Sequence, residues 1–157
     1  MELLDGKKTA ALVQETIAEE VRQIVAKGHR PPHLVAILVG NNGASMTYVN
    51  NKVTACERVG FASSVVNLPE DISQEALLEE IEKLNKDKSI DGFIVQLPLP
   101  KHINEQEVLL TVNPDKDADG FHPTNFGRMA LGLDAFIPAT PYGILELLIQ
   151  YKMMENM

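Results

Sequence analysis

Ser45, Tyr48 and Lys52 stand three and four residues apart, so on a helix a hydroxyl, a phenol and an amine share one face. A face of that composition at a binding edge can hold a ligand and do proton chemistry. Ser and Lys are also common on solvated faces, and spacing alone favours that plainer origin. Gln96 closes the apolar run that begins at Phe93; taken alone, such a residue is more often a satisfied strand terminus than a catalytic group. The segment Lys116-Asp117-Ala118-Asp119-Gly120-Phe121-His122-Pro123 concentrates carboxylates beside a glycine, a pattern that by itself also fits a polar turn. The histidines, at 29, 33, 102 and 122, have no metal-ligand spacing and no cysteine cluster beside them, so no metal site is expected. Cys56 has no activating partner nearby in sequence and reads as a small core residue.

The elements that must position these groups alternate. Leu12, Val13, Ile17, Val21, Ile24 and Val25 form one helical stripe, ended by Gly28 and the Pro31-Pro32 pair. His33 to Val39 is an apolar run without a polar face, the pattern of a strand buried on both sides. A helix from Ser45 to Val59 follows and stops at Gly60. Next come a strand from Ser63 to Leu68, a helix near Ser73 to Asn85 with Leu77, Ile81 and Leu84 on one face, and a strand from Phe93 to Gln96. This order predicts an α/β fold in three layers: a small, mainly parallel sheet flanked by helices. In such a sheet ligands bind at the carboxyl ends of the strands. The loop 40–45 and the segment Gln96-Leu97-Pro98-Leu99-Pro100 should therefore meet on one edge. Residues 114–140 show no lasting periodicity and read as a long functional loop. Thr140 as N-cap and Pro141 in the first turn open a last helix, at about 141–153.

Composition narrows the classes of partner. The chain has 157 residues, 45% apolar and 23% charged, the size of one domain with one core. A formal net charge of −8 argues against nucleic acid or an anionic membrane as partner. A small polar metabolite is the expected ligand. No apolar run reaches the length of a membrane span, and Glu2 follows Met1 where a signal peptide would be basic. One cysteine excludes an internal disulfide and fits a reducing compartment, so a cytoplasmic location is expected.

Four segments follow one another in order: Tyr48-Val-Asn-Asn-Lys52, Asp91-Gly-Phe-Ile-Val-Gln-Leu-Pro-Leu-Pro100 with His102-Ile103, Lys116 to Pro123, and Pro138-Ala-Thr-Pro-Tyr-Gly143. With these the chain resembles the bifunctional methylenetetrahydrofolate dehydrogenase/methenyltetrahydrofolate cyclohydrolase family, from the opening Leu-Asp-Gly-Lys to the last helix. That family often has Cys where this chain has Ala139, so a thiol there is not required for chemistry. It also continues into a Rossmann domain with a glycine-rich NADP loop. No GxGxxG occurs in this sequence, so residues 1–157 are expected to be the folate-binding catalytic domain of a longer enzyme, with its NADP site elsewhere.

The resemblance implies oxidation of methylenetetrahydrofolate by hydride transfer to NADP, then hydrolysis of the methenyl product to formyltetrahydrofolate, in one-carbon metabolism. It implies Lys52 as the proton-transfer residue of the hydrolysis. A lysine amine ordinarily titrates near 10.4, so such work near neutrality calls for a local environment that lowers it. Gln96 would orient that amine without adding charge, and Ser45 would support it. Tyr48 would stack on the aminobenzoyl ring. Asp119 would accept from the pterin amino and ring N–H groups, with backbone of Val95 and Leu97 beside the folate. The family is homodimeric, largely through the other domain. Two further classes fit the same sequence less well: a folate-binding module without turnover, and the substrate domain of another two-domain dehydrogenase, which the Lys116 to Pro123 segment argues against.

Overall fold

The computed structural model describes residues 3–154. Helix α1 (Gly6–Ala26) starts where the Asp5 carboxylate accepts from the Lys8 N–H at 3.0 Å. Strand β1 (His33–Val39) leads to α2 (Gly43–Val59), β2 (Ala62–Leu68), α3 (Gln74–Lys86) and β3 (Gly92–Val95). Then come α4 (Glu105–Thr111), a 3-10 turn (Pro114–Lys116), α5 (Pro123–Ala130) and α6 (Ala139–Gln150).

The sheet has the order β2-β1-β3 with every pairing parallel, so β1 is central and both of its faces must be covered. Val35, Ile37 and Val39 pack with Leu77 and Ile81 of α3, with Phe93 and Val95, and with Val108 of α4. On the opposite face Ala36, Leu38 and Ile94 pack with Val49 of α2. The α/β fold in three layers expected from the sequence is what forms, and β1 begins and ends at the expected residues. Cys56 lies in the interior, where burial pushes its thiol up. No described helix is long and apolar enough to cross a membrane.

Three expectations need correction. Residues 114–140 are not structureless: they hold the 3-10 turn and α5, and α4 precedes them unread. Each helix is short, 7 and 8 residues, and shows the interior a single buried residue, Val108 in α4 and Asn125 in α5, so neither repeats a pattern over enough turns to be read from the sequence. Helix α6 runs Ala139–Gln150, and its N-cap is Pro138, without a side-chain capping bond. Thr140 lies inside its first turn, and the first helical bond runs from Tyr142 N–H to the Pro138 carbonyl at 3.1 Å. Finally, β3 ends at Val95, although Gln96 N–H still donates to the Ile37 carbonyl at 2.9 Å.

Candidate functional site

The carboxyl edge of the sheet opens into a cleft of about 600 Å³. One wall is the first turns of α2. Asn42 caps that helix, its carbonyl oxygen accepting from Ala44 N–H at 3.0 Å and Ser45 N–H at 3.1 Å. Ser45, Tyr48 and Lys52 all line the cleft, as their spacing predicts. They differ in depth: Ser45 is buried, Lys52 half-buried, and Tyr48 is 63% exposed at the rim. An aromatic ring left largely bare beside a cleft is a ready stacking surface.

The floor is Val95, Gln96 and Leu97, followed by Pro98 across a cis peptide bond. The Gln96 side-chain amide donates to the Leu97 carbonyl at 2.8 Å, while its Oε1 is buried with no protein partner among the described residues. The Lys52 ammonium is paired instead with Asp119, Nζ to Oδ1, at 3.4 Å. Sixty-seven positions separate these two residues, so no local pattern could have joined them.

Asp119 enters the cleft on a loop whose residues each have a separate physical task. Lys116 Nζ donates to the Leu84 and Asp87 carbonyls at 2.7 and 2.6 Å, satisfying the exposed carbonyl end of α3. Ala118 N–H donates to the Phe93 carbonyl at 3.3 Å, which ties the loop to β3. The buried Asp117 carboxylate accepts from Phe121 N–H at 3.2 Å, His122 N–H at 2.8 Å and Asn125 Nδ2 at 3.0 Å. Gly120 has φ +69°, and a Cβ there would lie 2.8 Å from the backbone of Phe136, Ile137 and Pro138. Only glycine permits that approach, and it brings the start of α6 against the cleft, so that Pro138 to Pro141 form its remaining wall. Sequence reasoning missed Phe121 and these wall residues as lining groups, because they carry no chemistry that spacing could single out.

Electrostatics separate Asp119 from an ordinary surface acid. Burial raises its carboxyl above the usual aspartate range; the Lys52 charge and hydrogen bond oppose that, and the nearby Asp117 adds to the rise. A partly desolvated carboxylate in a cleft is a costly acceptor that a ligand with paired N–H donors would satisfy.

The comparisons bear on which ligand that is. A family model described as tetrahydrofolate dehydrogenase/cyclohydrolase, catalytic domain, matches residues 4–119. The bifunctional protein FolD of Flavobacterium johnsoniae is 61% identical over 152 residues, which are 97% of this chain and 52% of that protein. Among solved structures, the FolD methylenetetrahydrofolate dehydrogenase/cyclohydrolase of Campylobacter jejuni superposes with a TM-score of 0.94 at 45% identity, over 98% of this chain and 54% of that one. The Trypanosoma brucei enzyme, solved with NADP cofactor and inhibitor, gives a TM-score of 0.89 at 34% identity, over 94% and 51%. The chain thus spans about half the length of the curated relatives it matches. With its fold, cleft and Lys116 to Pro123 loop in place, this chain belongs to the tetrahydrofolate dehydrogenase/cyclohydrolase family, in the part described as the catalytic domain.

Proposed function

We propose that the chain is the folate-binding catalytic domain of a protein that oxidises methylenetetrahydrofolate to the methenyl form and hydrolyses it to formyltetrahydrofolate. The observation that carries this reading is the meeting of one amine, Lys52, and one raised carboxylate, Asp119, in a cleft rimmed by the exposed Tyr48. Asp119 accepts from the pterin amino and ring N–H groups, and Tyr48 stacks on the aminobenzoyl ring. Val95 and Leu97 supply the backbone beneath the folate. As the pterin takes over Asp119, Lys52 is released toward the reacting carbon. Gln96 Oε1, buried and without a protein partner among the described residues, is the neutral acceptor that orients its amine, and Ser45 supports it from two helix turns before.

In the hydrolysis, water oxygen bonds to the methenyl carbon while Lys52, having first given up its own proton to solvent as it leaves Asp119, takes one water proton as a neutral amine. The carbon–nitrogen bond of the ring then breaks, Lys52 passes that proton to the departing nitrogen, and the remaining hydroxyl proton is released to solvent as the formyl carbonyl forms. NADP would supply the hydride acceptor for the oxidation, but the described residues do not fit its pyrophosphate. Of the helix N-termini at this edge, that of α2 has its Ala44 and Ser45 N–H groups taken by the Asn42 side chain, and that of α6 opens on Pro138 to Pro141 with no glycine-rich loop before it. No step of the oxidation is therefore assigned to this chain beyond holding the folate. A homodimeric parent protein in the cytoplasm is part of the same reading, which the single buried cysteine fits.

The test is hydrolysis of methenyltetrahydrofolate by the chain, followed by loss of its absorbance. A slow Lys52-dependent rate is expected. Lys52→Met should abolish it and leave folic acid binding within about tenfold, roughly 1.4 kcal/mol. Undiminished hydrolysis by the Met variant, or no binding of folic acid by the wild-type chain, would overturn the reading.

A further inference from the structure

We infer that the buried pair Asp117–Asn125 is the positioning centre of the site: it fixes the direction in which Asp119 enters the cleft and thereby sets selectivity for the pterin end of the ligand. The inference rests on the reading of Asp119 as the pterin acceptor and goes beyond it, since neither residue lines the folate cleft.

Asp117 and Asn125 are 5% and 1% exposed, two of the four buried polar residues among those described. Helix α5 turns Asn125 inward, where an apolar residue would ordinarily go. Its Nδ2 donates both to the Pro114 carbonyl at 2.8 Å and to Asp117 Oδ2 at 3.0 Å. That orientation commits the amide nitrogen to Pro114 and Asp117 and leaves Asn125 Oδ1 buried with no protein partner among the described residues, so the side chain is placed for the two bonds that it donates.

What the arrangement achieves is control of the chain on both sides of Asp119. Through Pro114 it holds the segment before the loop. Through Asp117 it gathers Phe121 N–H and His122 N–H, the backbone just after. Residue 119 lies between the two anchors, with Gly120 turning the chain at φ +69° against Phe136 to Pro138. A carboxylate is needed at 117 because both of its oxygens accept. An asparagine in its place would aim an amide at a donor and open one side of the clamp. Hydrogen bonds to an ionised acceptor are about twice as strong as neutral ones, so the loop is held firmly enough to aim a side chain.

The experiment uses the 157-residue chain and two probes, folic acid and p-aminobenzoylglutamate, which has the same tail and no pterin. Calorimetric titrations compare wild type, Asp117→Asn and Asn125→Ala. Carbon-13 spectra report the Asp119 carboxyl in each, with and without Lys52→Met. Asn125→Ala leaves the Asp117 charge in place, so it separates positioning from charge, and it serves if Asp117→Asn does not fold. Expected is a loss of about tenfold in folic acid affinity with p-aminobenzoylglutamate unchanged. The Asp119 resonance should also cease to respond to Lys52→Met. Equal losses for both ligands, unchanged folic acid affinity in a folded variant, or an Asp119 resonance that still responds to Lys52→Met as in wild type would each overturn the inference. If the wild-type chain binds neither probe, the folate reading fails on its own, and the Asp119 resonance alone decides whether the pair positions that side chain.

Discussion

Replacing Asp119 by Asn should make the ligand-free protein more stable and its folate complex weaker. The carboxylate is 20% exposed and sits 3.4 Å from a Lys52 ammonium that is itself 35% exposed. A pair this open to solvent contributes only about 0–1 kcal/mol. Against it stand the burial of the charge and its repulsion by Asp117, which together raise the carboxyl above its ordinary value of 3.8. The folded state therefore holds the Asp119 proton more tightly than the unfolded state does. Between 3.8 and the raised value it binds more protons, so stability falls as pH climbs through that window and stays lower above it. Asparagine removes this loss. The variant should match wild type at the acid end of the window and exceed it at neutral pH by on the order of 1 kcal/mol. For a domain of this size that is about 2–4 °C in melting temperature. Folic acid binding should weaken by roughly 1–3 kcal/mol, because pterin donors lose an ionised acceptor. Melting curves from acid to neutral pH and one calorimetric titration measure both. A variant less stable than wild type at neutral pH, by an amount independent of pH, would refute the reasoning, since Asp119 would then be a structural residue.

Other outcomes follow from single features of the fold. Gly120→Ala meets backbone at 2.8 Å as well as a positive φ and should cost about 2–4 kcal/mol, whereas Gly28→Ala, at φ +85° with open space around it, should cost only about 1 kcal/mol; equal melting temperatures for the two would contradict the close approach. The Arg30 hydrogen bond, aided by His33 N–H, holds the Asp91 carboxyl below the usual aspartate range. Its stabilisation is present above 3.8 and lost as pH falls through the lowered value, so the melting gap between wild type and Asp91→Asn should close on acidification. Lys116→Met leaves the Leu84 and Asp87 carbonyls with only their weaker 3.3 Å backbone bonds at the end of α3; faster amide exchange there, with little change in β1, is the expected pattern.

Much of the scaffold is legible from the chain because its signals are local and redundant. Leu34 to Val39 is wholly apolar, and with His33 it lies between Pro31-Pro32 and Gly40, so β1 has one reading. Helix α2 carries its stop signal in Gly60, whose φ of +83° needs glycine. Helices α4 and α5 escape because 7 and 8 residues are too few to repeat a pattern, and the one residue that α5 buries is polar. The start of α6 escapes because Pro138 caps it without a side-chain bond. The site divides the same way. The face of Ser45, Tyr48 and Lys52 follows from helical geometry. The Lys52–Asp119 pair depends on the path of a loop that Asp117, Asn125 and Lys116 hold through contacts 4 to 32 residues apart. Such contacts leave no trace in spacing.

A structure of the chain with folic acid in the cleft tests the central claim most directly. The pterin amino and ring N–H groups should lie within about 3 Å of the Asp119 carboxylate, the aminobenzoyl ring should stack on Tyr48, and the Lys52 ammonium should have left Asp119 for the side of Gln96. A pterin bound away from Asp119, with the Lys52 pair intact, would contradict it.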